Sequence, residues 1–325
     1  MRRREFITLV GSSVIWPAHG HAQAPAKIAR IGFLGLAPAS AWSGEIDALR
    51  AGLRDLGYVE GKNIALDFRW AADVSELSVL ANEFVRLKVD IIFAPASTQV
   101  ESARAATRTI PIVFAQHADP VGTGHVASLA HPGGNITGVS MVLTELAAKG
   151  LEILKQAVPA AIRFGILWNP TTPSHVKVVD EIQVAGKALG VQLLMTPVRT
   201  VDDFDAAFST MKREQADGFL VPPSPLTNSQ PTALAELGLK YKLPGMFGNK
   251  DNVTAGGLMS YGADFNYMYR HAAIYIDKIL KGEKPSELPV EQASKYDLVL
   301  NLKTARALGI ELPPTLLARA DEVIE

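Results

Sequence analysis

The same order of predicted strands and helices occurs twice along the chain, and this repeat constrains the fold more than any other feature. Apolar runs alternate with amphipathic helical segments at residues 28–36, 63–70, 89–94 and 110–115, and again at 162–168, 191–198, 218–221 and 243–247. Apolar strands that alternate with helices are typical of a parallel sheet covered on both faces. The sequence therefore predicts an α/β fold of two doubly wound parallel-sheet lobes.

Short local sequences also correspond between the two halves. Arg30-Ile-Gly-Phe-Leu matches Arg163-Phe-Gly-Ile-Leu, and Ile110-Pro-Ile-Val-Phe matches Leu243-Pro-Gly-Met-Phe. In both halves these motifs fall on the same predicted strands. The correspondence favours two lobes of related design over two unrelated domains.

Three segments are candidates for the places where the chain passes between the lobes. They are His131-Pro-Gly-Gly-Asn135 with the extended run to Val142, residues 256–262, and residues 284–289. Several parallel crossings form a hinge that permits bending. We predict that lobe 1 comprises residues 23–137 and 258–290, and that lobe 2 comprises residues 138–257 and 291–325.

The first 22 residues have the pattern of an export signal. Arg2, Arg3 and Arg4 precede a short apolar stretch that ends at Trp16, and small residues at Gly20 and Ala22 suit a cleavage site. The arginine pair also fits the twin-arginine pattern. We predict cleavage between Ala22 and Gln23 and a periplasmic mature chain; the alternative is a charged N-terminal helix of a cytosolic domain.

Composition and missing motifs narrow the functional classes. The sequence has no cysteine, which excludes disulfides, thiolate metal sites and thiol nucleophiles. A net charge of −1 without basic patches argues against nucleic-acid binding. The sequence contains no G-x-S-x-G, H-E-x-x-H or phosphate-loop motif. We predict no cofactor, no metal site and no catalytic residues.

Ligands of doubly wound sheets bind beyond the carboxyl ends of the strands. The candidate ligand-binding residues at these positions are Ser40, Trp42, Ser97, Thr98, Gln116, Asp119, Asn169, Thr172, Ser174, Ser224, Asn249 and Tyr261. Hydroxyl groups at helix N-termini suit a carboxylate, Asp119 suits an ammonium group, and the aromatic rings offer a stacking face. Each polar candidate has the alternative role of an ordinary helix N-cap.

Several longer motifs resemble a known family. They are Gly57-Tyr-Val-Glu-Gly-Lys-Asn63, Asp119-Pro-Val-Gly-Thr-Gly124, Ser128-Leu-Ala-His-Pro-Gly-Gly-Asn-Ile-Thr-Gly-Val-Ser140 and Gly257-Leu-Met-Ser-Tyr-Gly262. In order and spacing they resemble the ABC-transporter substrate-binding proteins, a family that includes tryptophan- and tyrosine-associated members. The resemblance implies a type I periplasmic binding-protein fold, a ligand held between two lobes, and delivery to a membrane permease with a separate ATPase.

The leading hypothesis is an extracytoplasmic solute-binding protein of an ABC importer. On this hypothesis the chain is a monomer that closes on a small polar ligand, an amino acid or a related compound with an aromatic side chain as one option. Two alternatives stay open. One is an exported α/β enzyme that uses His117 and Asp119 as acid and base, and the other is a ligand-sensing domain.

Overall fold

The computed structural model describes residues 28–36 and 39–325. The export signal that we predict at residues 1–22, with its cleavage site, lies outside the described residues. The described chain forms two sheets, of six and seven strands, each covered by helices. We number the strands β1–β13 and the helices α1–α12 in chain order.

The first sheet has the spatial order β11-β5-β4-β3-β1-β2, with all neighbours parallel. Its strands are β1 (Ala29–Leu36), β2 (Ile64–Ala71), β3 (Ile91–Phe93), β4 (Ile112–His117), β5 (Ile136–Ser140) and β11 (Glu291–Gln292). The helices around it are α1 (Ser43–Asp55), α2 (Leu77–Leu87), α3 (Ser97–Ala106) and α10 (Phe265–Leu280). Helices α1 and α10 pack together on one face of the sheet, and α2 and α3 pack on the other.

The second sheet has the spatial order β13-β12-β10-β9-β8-β6-β7, and only the β10–β12 pair is antiparallel among the described strands. Its strands are β6 (Arg163–Trp168), β7 (Gln192–Pro197), β8 (Gly218–Val221), β9 (Gly245–Phe247), β10 (Met259–Ala263), β12 (Tyr296–Asn301) and β13 (Glu322–Ile324). Its longer helices are α4 (Leu143–Ala157), α5 (His175–Leu189), α6 (Asp203–Arg213) and α8 (Pro231–Lys240). Shorter helices are α7 (Pro225–Asn228), α9 (Asp251–Thr254), α11 (Leu302–Leu308) and α12 (Pro314–Leu317).

The two sheets share one strand order. The run β2-β1-β3-β4-β5 in the first sheet corresponds to β7-β6-β8-β9-β10 in the second. The predicted α/β fold of two doubly wound lobes is therefore confirmed. In this order the chain reverses direction across the sheet between β1 and β3, and between β6 and β8, which opens a crevice at the carboxyl ends of those strands.

The chain passes between the sheets three times in the described region. It leaves the first sheet after Ser140, returns after Ala263 into α10, and passes from β11 to β12. These passages lie a few residues beyond the predicted ones, because β5 is hydrogen-bonded to β4 and β10 to β9 and β12. Sheet pairing thus puts Gly138–Ser140 with the first sheet and residues 259–263 with the second, whereas our boundaries assigned them the other way.

The buried side chains explain why the apolar runs were continuous. Every residue of β3 and of β4 is buried, because helices cover both faces of the first sheet.

Among the described residues, no helix combines the length and the apolar character needed to cross a bilayer.

Candidate functional site

A polar cavity lies where the carboxyl ends of the two sheets face each other. The first lobe lines it with Ala96, Ser97, Gln116, Ala118 and Met141, and the second with Thr172, Ser174, Pro223, Ser224, Pro225 and Asn228. Gln116 lies near the end of β4, and the other residues follow β3, β4, β5, β6 and β8. The cavity therefore occupies the crevices that the strand order opens in both lobes.

Two side-chain contacts join the lobes across this cavity. The hydroxyl oxygens of Ser97 and Ser174 lie 3.5 Å apart. Beside them, Lys177 Nζ donates to Asp119 Oδ2 at 2.8 Å, with the aspartate side chain only 14% exposed. Both contacts need the lobes to be close together, as they are in this structure.

The amino-terminal ends of two helices meet at the serine pair. Ser97 is the first residue of α3, and Ser174 is the N-cap of α5. The first bond inside α3 runs from Val100 N–H to Ala96 O, so the helix itself leaves the preceding N–H groups unused. Both helices thus direct the positive end of their dipole at the cavity, which favours an anionic group there.

A buried histidine pair supports the first-lobe side of the cavity. His117, the last residue of β4, accepts the Asp119 backbone N–H at Nδ1 (3.2 Å), and the same nitrogen lies 3.3 Å from Ser97 Oγ. Its Nε2 lies 2.7 Å from His125 Nδ1, and His125 Nε2 lies 2.6 Å from Glu101 Oε2. Burial lowers the pKa of both imidazoles, that of His117 well below its ordinary value. Both rings are therefore neutral at neutral pH.

A third buried histidine fixes the corresponding turn in the second lobe. His175 Nδ1 accepts the Asn169 backbone N–H at 3.1 Å, and its Nε2 donates to Pro223 O at 3.1 Å. Burial lowers the pKa of His175 to about 4. The neutral ring holds together the loops after β6 and β8, which carry Thr172 and Ser224.

An apolar cavity adjoins the polar one. Its lining residues are Met141, Leu143, Leu146, Ala147, Gly150, Leu220, Val221, Pro222, Pro223, Met246, Phe247, Gly248, Tyr261 and Ala263. Met141 and Pro223 border both cavities. The site therefore has a polar compartment between the lobes and an apolar one at the ends of β8, β9 and β10.

Comparison with known proteins decides the family. The sequence profile of the family described as ABC transporter substrate binding protein matches residues 40–324. The chain belongs to this family.

Individual relatives agree with the assignment. A protein named tyrosine-binding protein from Clostridioides difficile (strain R20291) is 28% identical over 260 residues, which is 80% of this chain and 74% of that one. A crystal structure of a conserved domain protein from Vibrio cholerae has a TM-score of 0.86 at 27% identity and covers 91% of this chain and 100% of its own. The ABC domain in complex with L-Trp from Streptococcus pneumonia has a TM-score of 0.85 at 25% identity, with 92% and 100% covered. The predicted type I periplasmic binding-protein fold is thereby confirmed.

The structure brings together several of the residues predicted to bind ligand in this substrate-binding protein. Those that line the polar cavity are Ser97, Gln116, Thr172, Ser174 and Ser224, while Tyr261 lines the apolar cavity. Gln116 is the most notable of them. Its Oε1 is buried and has no hydrogen-bond partner among the described residues, whereas most buried polar atoms in proteins have one.

Other predicted residues serve the loops around the cavities. Asn169 accepts from Thr171 N–H and hydroxyl, and Asn249 accepts from Asp251 N–H, so both carbonyl oxygens hold turns. Thr98 is buried one residue beyond Ser97 on α3. The role of these residues towards ligand stays a prediction.

Two predicted residues lie away from the cavities. Trp42 is 2% exposed in the core of lobe 1, where its indole N–H donates to Leu36 O at 3.0 Å. Ser40 is exposed and borders a surface groove next to Ser43 and Trp70. The short 3-10 helix Ala39–Trp42 places Trp42 in the core. The role of Ser40 and Trp42 towards ligand stays a prediction.

The structure does not assemble the predicted acid–base pair. The Asp119 carboxylate accepts from Gly122 N–H at 2.8 Å and from Lys177, and it reaches His117 only through its backbone N–H. An imidazole whose acceptor nitrogen already receives an N–H is a poor general base. The described residues also contain no group of three or more acidic or histidine side chains arranged to hold a metal ion.

Sequence reasoning missed the partners of His117. His125 is supplied by the loop after β4, and Glu101 by α3. One signal was available for Glu101, because it stands four residues after Ser97 and thus on the same helix face. No local pattern indicates that His125 folds back onto β4.

Proposed function

We propose that this chain is the extracytoplasmic solute-binding component of an ABC importer and that it carries an aromatic amino acid between its lobes. The observation that supports this most directly is the pair of adjoining cavities. One is polar and faces two helix N-termini, and the other is apolar and includes Tyr261 and Phe247. This combination suits a zwitterionic head group joined to a large apolar side chain.

The polar compartment offers complementary groups for both charges of an amino acid. A carboxylate between Ser97 and Ser174 receives two hydroxyl groups and the favourable field of α3 and α5. The buried Oε1 of Gln116 is an acceptor without a partner among the described residues, and it suits the ammonium group. Charge-assisted bonds of this kind contribute about 1.5–3 kcal/mol each.

The apolar compartment suits the aromatic side chain of the ligand. Leu143, Leu146, Met246 and Tyr261 border it, and Met141 joins it to the polar compartment. An aromatic ring buries roughly 150–250 Å² when it is enclosed, which makes it the larger apolar contribution to affinity. The names of the similar proteins, one for tyrosine and one solved with L-Trp, point to the same ligand class.

Binding by closure follows from the position of the site. A ligand can contact Ser97 in one lobe and Ser174 in the other at the same time only when the lobes are close together. Each 1.4 kcal/mol of preference for the closed form shifts the open–closed equilibrium about tenfold. A few shared hydrogen bonds therefore suffice to make the closed form dominant.

Calorimetric titration tests this function. We expect L-tyrosine or L-tryptophan to bind, and glycine and L-glutamate to bind at least about tenfold more weakly. Ser97→Ala should weaken binding about tenfold because a hydrogen bond to a charged group is lost.

Ser102→Ala is the matched control. Ser102 lies on the same helix and bonds only to Thr98 O among the described residues, so its substitution should leave affinity unchanged. If no aromatic amino acid binds the wild-type protein, the proposal is wrong. Equal affinities for wild type and Ser97→Ala would instead show that the ligand binds at a site that does not include Ser97.

The importer role carries three further proposals. The mature chain acts in the periplasm after cleavage near Ala22, it works as a monomer, and it delivers its ligand to a membrane permease driven by a separate ATPase. The basic and apolar pattern of residues 1–22 supports export. An exported protein whose amino terminus is not near Gln23 would contradict the cleavage site.

A further inference from the structure

A continuous chain of hydrogen bonds runs from the surface of lobe 1 to the cleft. Glu101, with a side chain 53% exposed, lies 2.6 Å from His125 Nε2. His125 Nδ1 lies 2.7 Å from His117 Nε2, and His117 Nδ1 lies 3.3 Å from Ser97 Oγ. Both imidazole rings are buried, and His125 Nδ1 also lies 3.1 Å from Thr123 Oγ1.

The direction of the two links from His117 through His125 to Glu101 is fixed from both ends. The backbone N–H of Asp119 can only donate, and it points at His117 Nδ1, so that nitrogen carries no proton. A neutral His117 then holds its proton on Nε2 and donates to His125 Nδ1. His125 in turn donates from Nε2 to the Glu101 carboxylate, which can only accept.

His117 Nδ1 is next to both of the side-chain contacts that join the lobes. It contacts Ser97, whose hydroxyl meets Ser174, and the backbone of Asp119, whose carboxylate binds Lys177. The intervening Ala118 N–H donates to Ser97 Oγ at 3.4 Å. His117 Nδ1 thus lies within hydrogen-bond distance of both first-lobe residues, Ser97 and Asp119, that contact the second lobe.

We infer that His117 is a positioning residue for closure of the cleft, and that His125 and Glu101 keep its Nδ1 in the acceptor state that closure requires. The inference rests on the proposed function, since closure matters only if a ligand is carried between the lobes. Protonation of His117 puts a hydrogen on Nδ1 that faces the N–H of Asp119. The backbone N–H of Asp119 then loses its acceptor, and ligand affinity falls.

The groups around the chain decide when this happens. They are Glu101 and Arg104 on α3, Asp119 with its partner Lys177 on α5, and the uncharged hydroxyls of Thr123 and of Ser140 on β5. Burial outweighs the attraction of Glu101, because the pKa of both imidazoles is lowered. The imidazoles of His117 and His125 therefore stay neutral above pH 6.5 and take up protons only in more acidic solution.

Nitrogen NMR of the ligand-free protein tests the chain without reference to any ligand. Long-range ¹H–¹⁵N spectra distinguish the two neutral tautomers of histidine. We expect both His117 and His125 to carry their proton on Nε2 at pH 7.5. Glu101→Leu should mix the tautomers of His125, whereas the control Arg108→Gln, at an exposed residue just beyond α3, should leave them unchanged. An Nδ1–H tautomer at His117 in the wild-type protein overturns the inference.

The pH dependence of affinity tests the functional consequence. With L-tyrosine or L-tryptophan as the probe, affinity should stay constant from pH 8 to 6.5 and should fall only well below pH 6.5, because burial lowers the pKa of His117 that far. The fall should approach about tenfold per pH unit once the pH is below the pKa of His117. His117→Asn places an unprotonatable oxygen near the Nδ1 position, so its affinity, although weaker, should not fall in this way. His117→Leu offers no acceptor and should weaken binding about tenfold across the whole range.

The outcomes separate the two proposals. If neither amino acid binds at any pH, the proposed function is wrong. The NMR measurement of the His117 and His125 tautomers still tests whether the hydrogen-bond chain has the direction that we infer. If an amino acid binds and His117→Asn follows the same pH curve as wild type, the positioning role of His117 is wrong.

Discussion

Among single residues, Glu45 carries the clearest consequence for stability. It lies in the first turn of α1, is 7% exposed, and faces the negative charge of Asp251 from the second lobe. Burial, with a smaller effect of Asp251, raises the pKa of Glu45 to about 7. The folded protein therefore binds a proton here between pH 4.5 and 7 that the unfolded chain releases.

Glu45→Gln should consequently stabilise the protein in alkaline solution. The contribution of the protonated carboxyl is fully present below pH 4.5 and is lost as the pH rises through 7. We expect Glu45→Gln to raise the free energy of unfolding at pH 8 by up to about 3 kcal/mol and to change it little at pH 4.5. Urea unfolding at the two pH values measures this, with the exposed Glu236→Gln as the control. The same effect at both pH values would contradict it.

How far single residues could be predicted depends on how they reach the cavity. Ser97, Thr172, Ser174 and Ser224 follow strands directly, so the position of their strand ends was enough to place them. His125 reaches His117 through a loop without regular structure, and only the folded chain brings the two rings together. The burial of Trp42 could not be predicted from the end of β1, because its side-chain direction depends on the short helix Ala39–Trp42.

At the level of elements, strand β5 links the first sheet to α4 of the second lobe, and Gly138 is its critical position. Its φ is +148°, and a Cβ there would meet Phe114 O on β4 at 2.0 Å. Only glycine fits this approach of two backbones. Strand β5 therefore pairs closely with β4 just before the chain leaves the sheet.

Gly138→Ala should destabilise the protein by about 3 kcal/mol or more, because the backbone at Phe114 cannot move without breaking the β4–β5 pairing. Gly134→Ala is the matched control, since a Cβ at that position meets no atom within 4 Å. Thermal unfolding of the two variants measures the difference. Equal stability of both variants would show that β5 tolerates a displaced backbone.

The strands were predictable because helices bury them on both faces, which leaves continuous apolar runs in the sequence. The ends of β5 and β10 were not, since the passage from one sheet to another is set by hydrogen bonds to β4, β9 and β12. These pairings join residues far apart in the chain. A local pattern carries no information about them.

At the scale of the whole molecule, side-chain contacts join the two lobes. The Lys177–Asp119 ion pair is one of them, and the lysine is 55% exposed. Exposed ion pairs contribute only about 0–1 kcal/mol and are screened by salt. This pair therefore contributes little to the contact between the lobes.

Lys177→Met should weaken the affinity for the bound amino acid at most about fivefold and should reduce the dependence of affinity on salt. Calorimetry at low and high salt measures both effects. Lys187→Met provides the control, because Lys187 is exposed near the end of the same helix. A tenfold or greater loss of affinity would mean that Lys177 contacts the ligand itself.

The central claim is that an aromatic amino acid is held between the two lobes. A crystal structure of the protein grown with saturating L-tyrosine or L-tryptophan tests it most directly. We predict density for the amino acid with its carboxylate between Ser97 and Ser174 and its ring in the cavity bordered by Met246 and Tyr261. An empty cleft, or an amino acid bound outside it, would contradict this account.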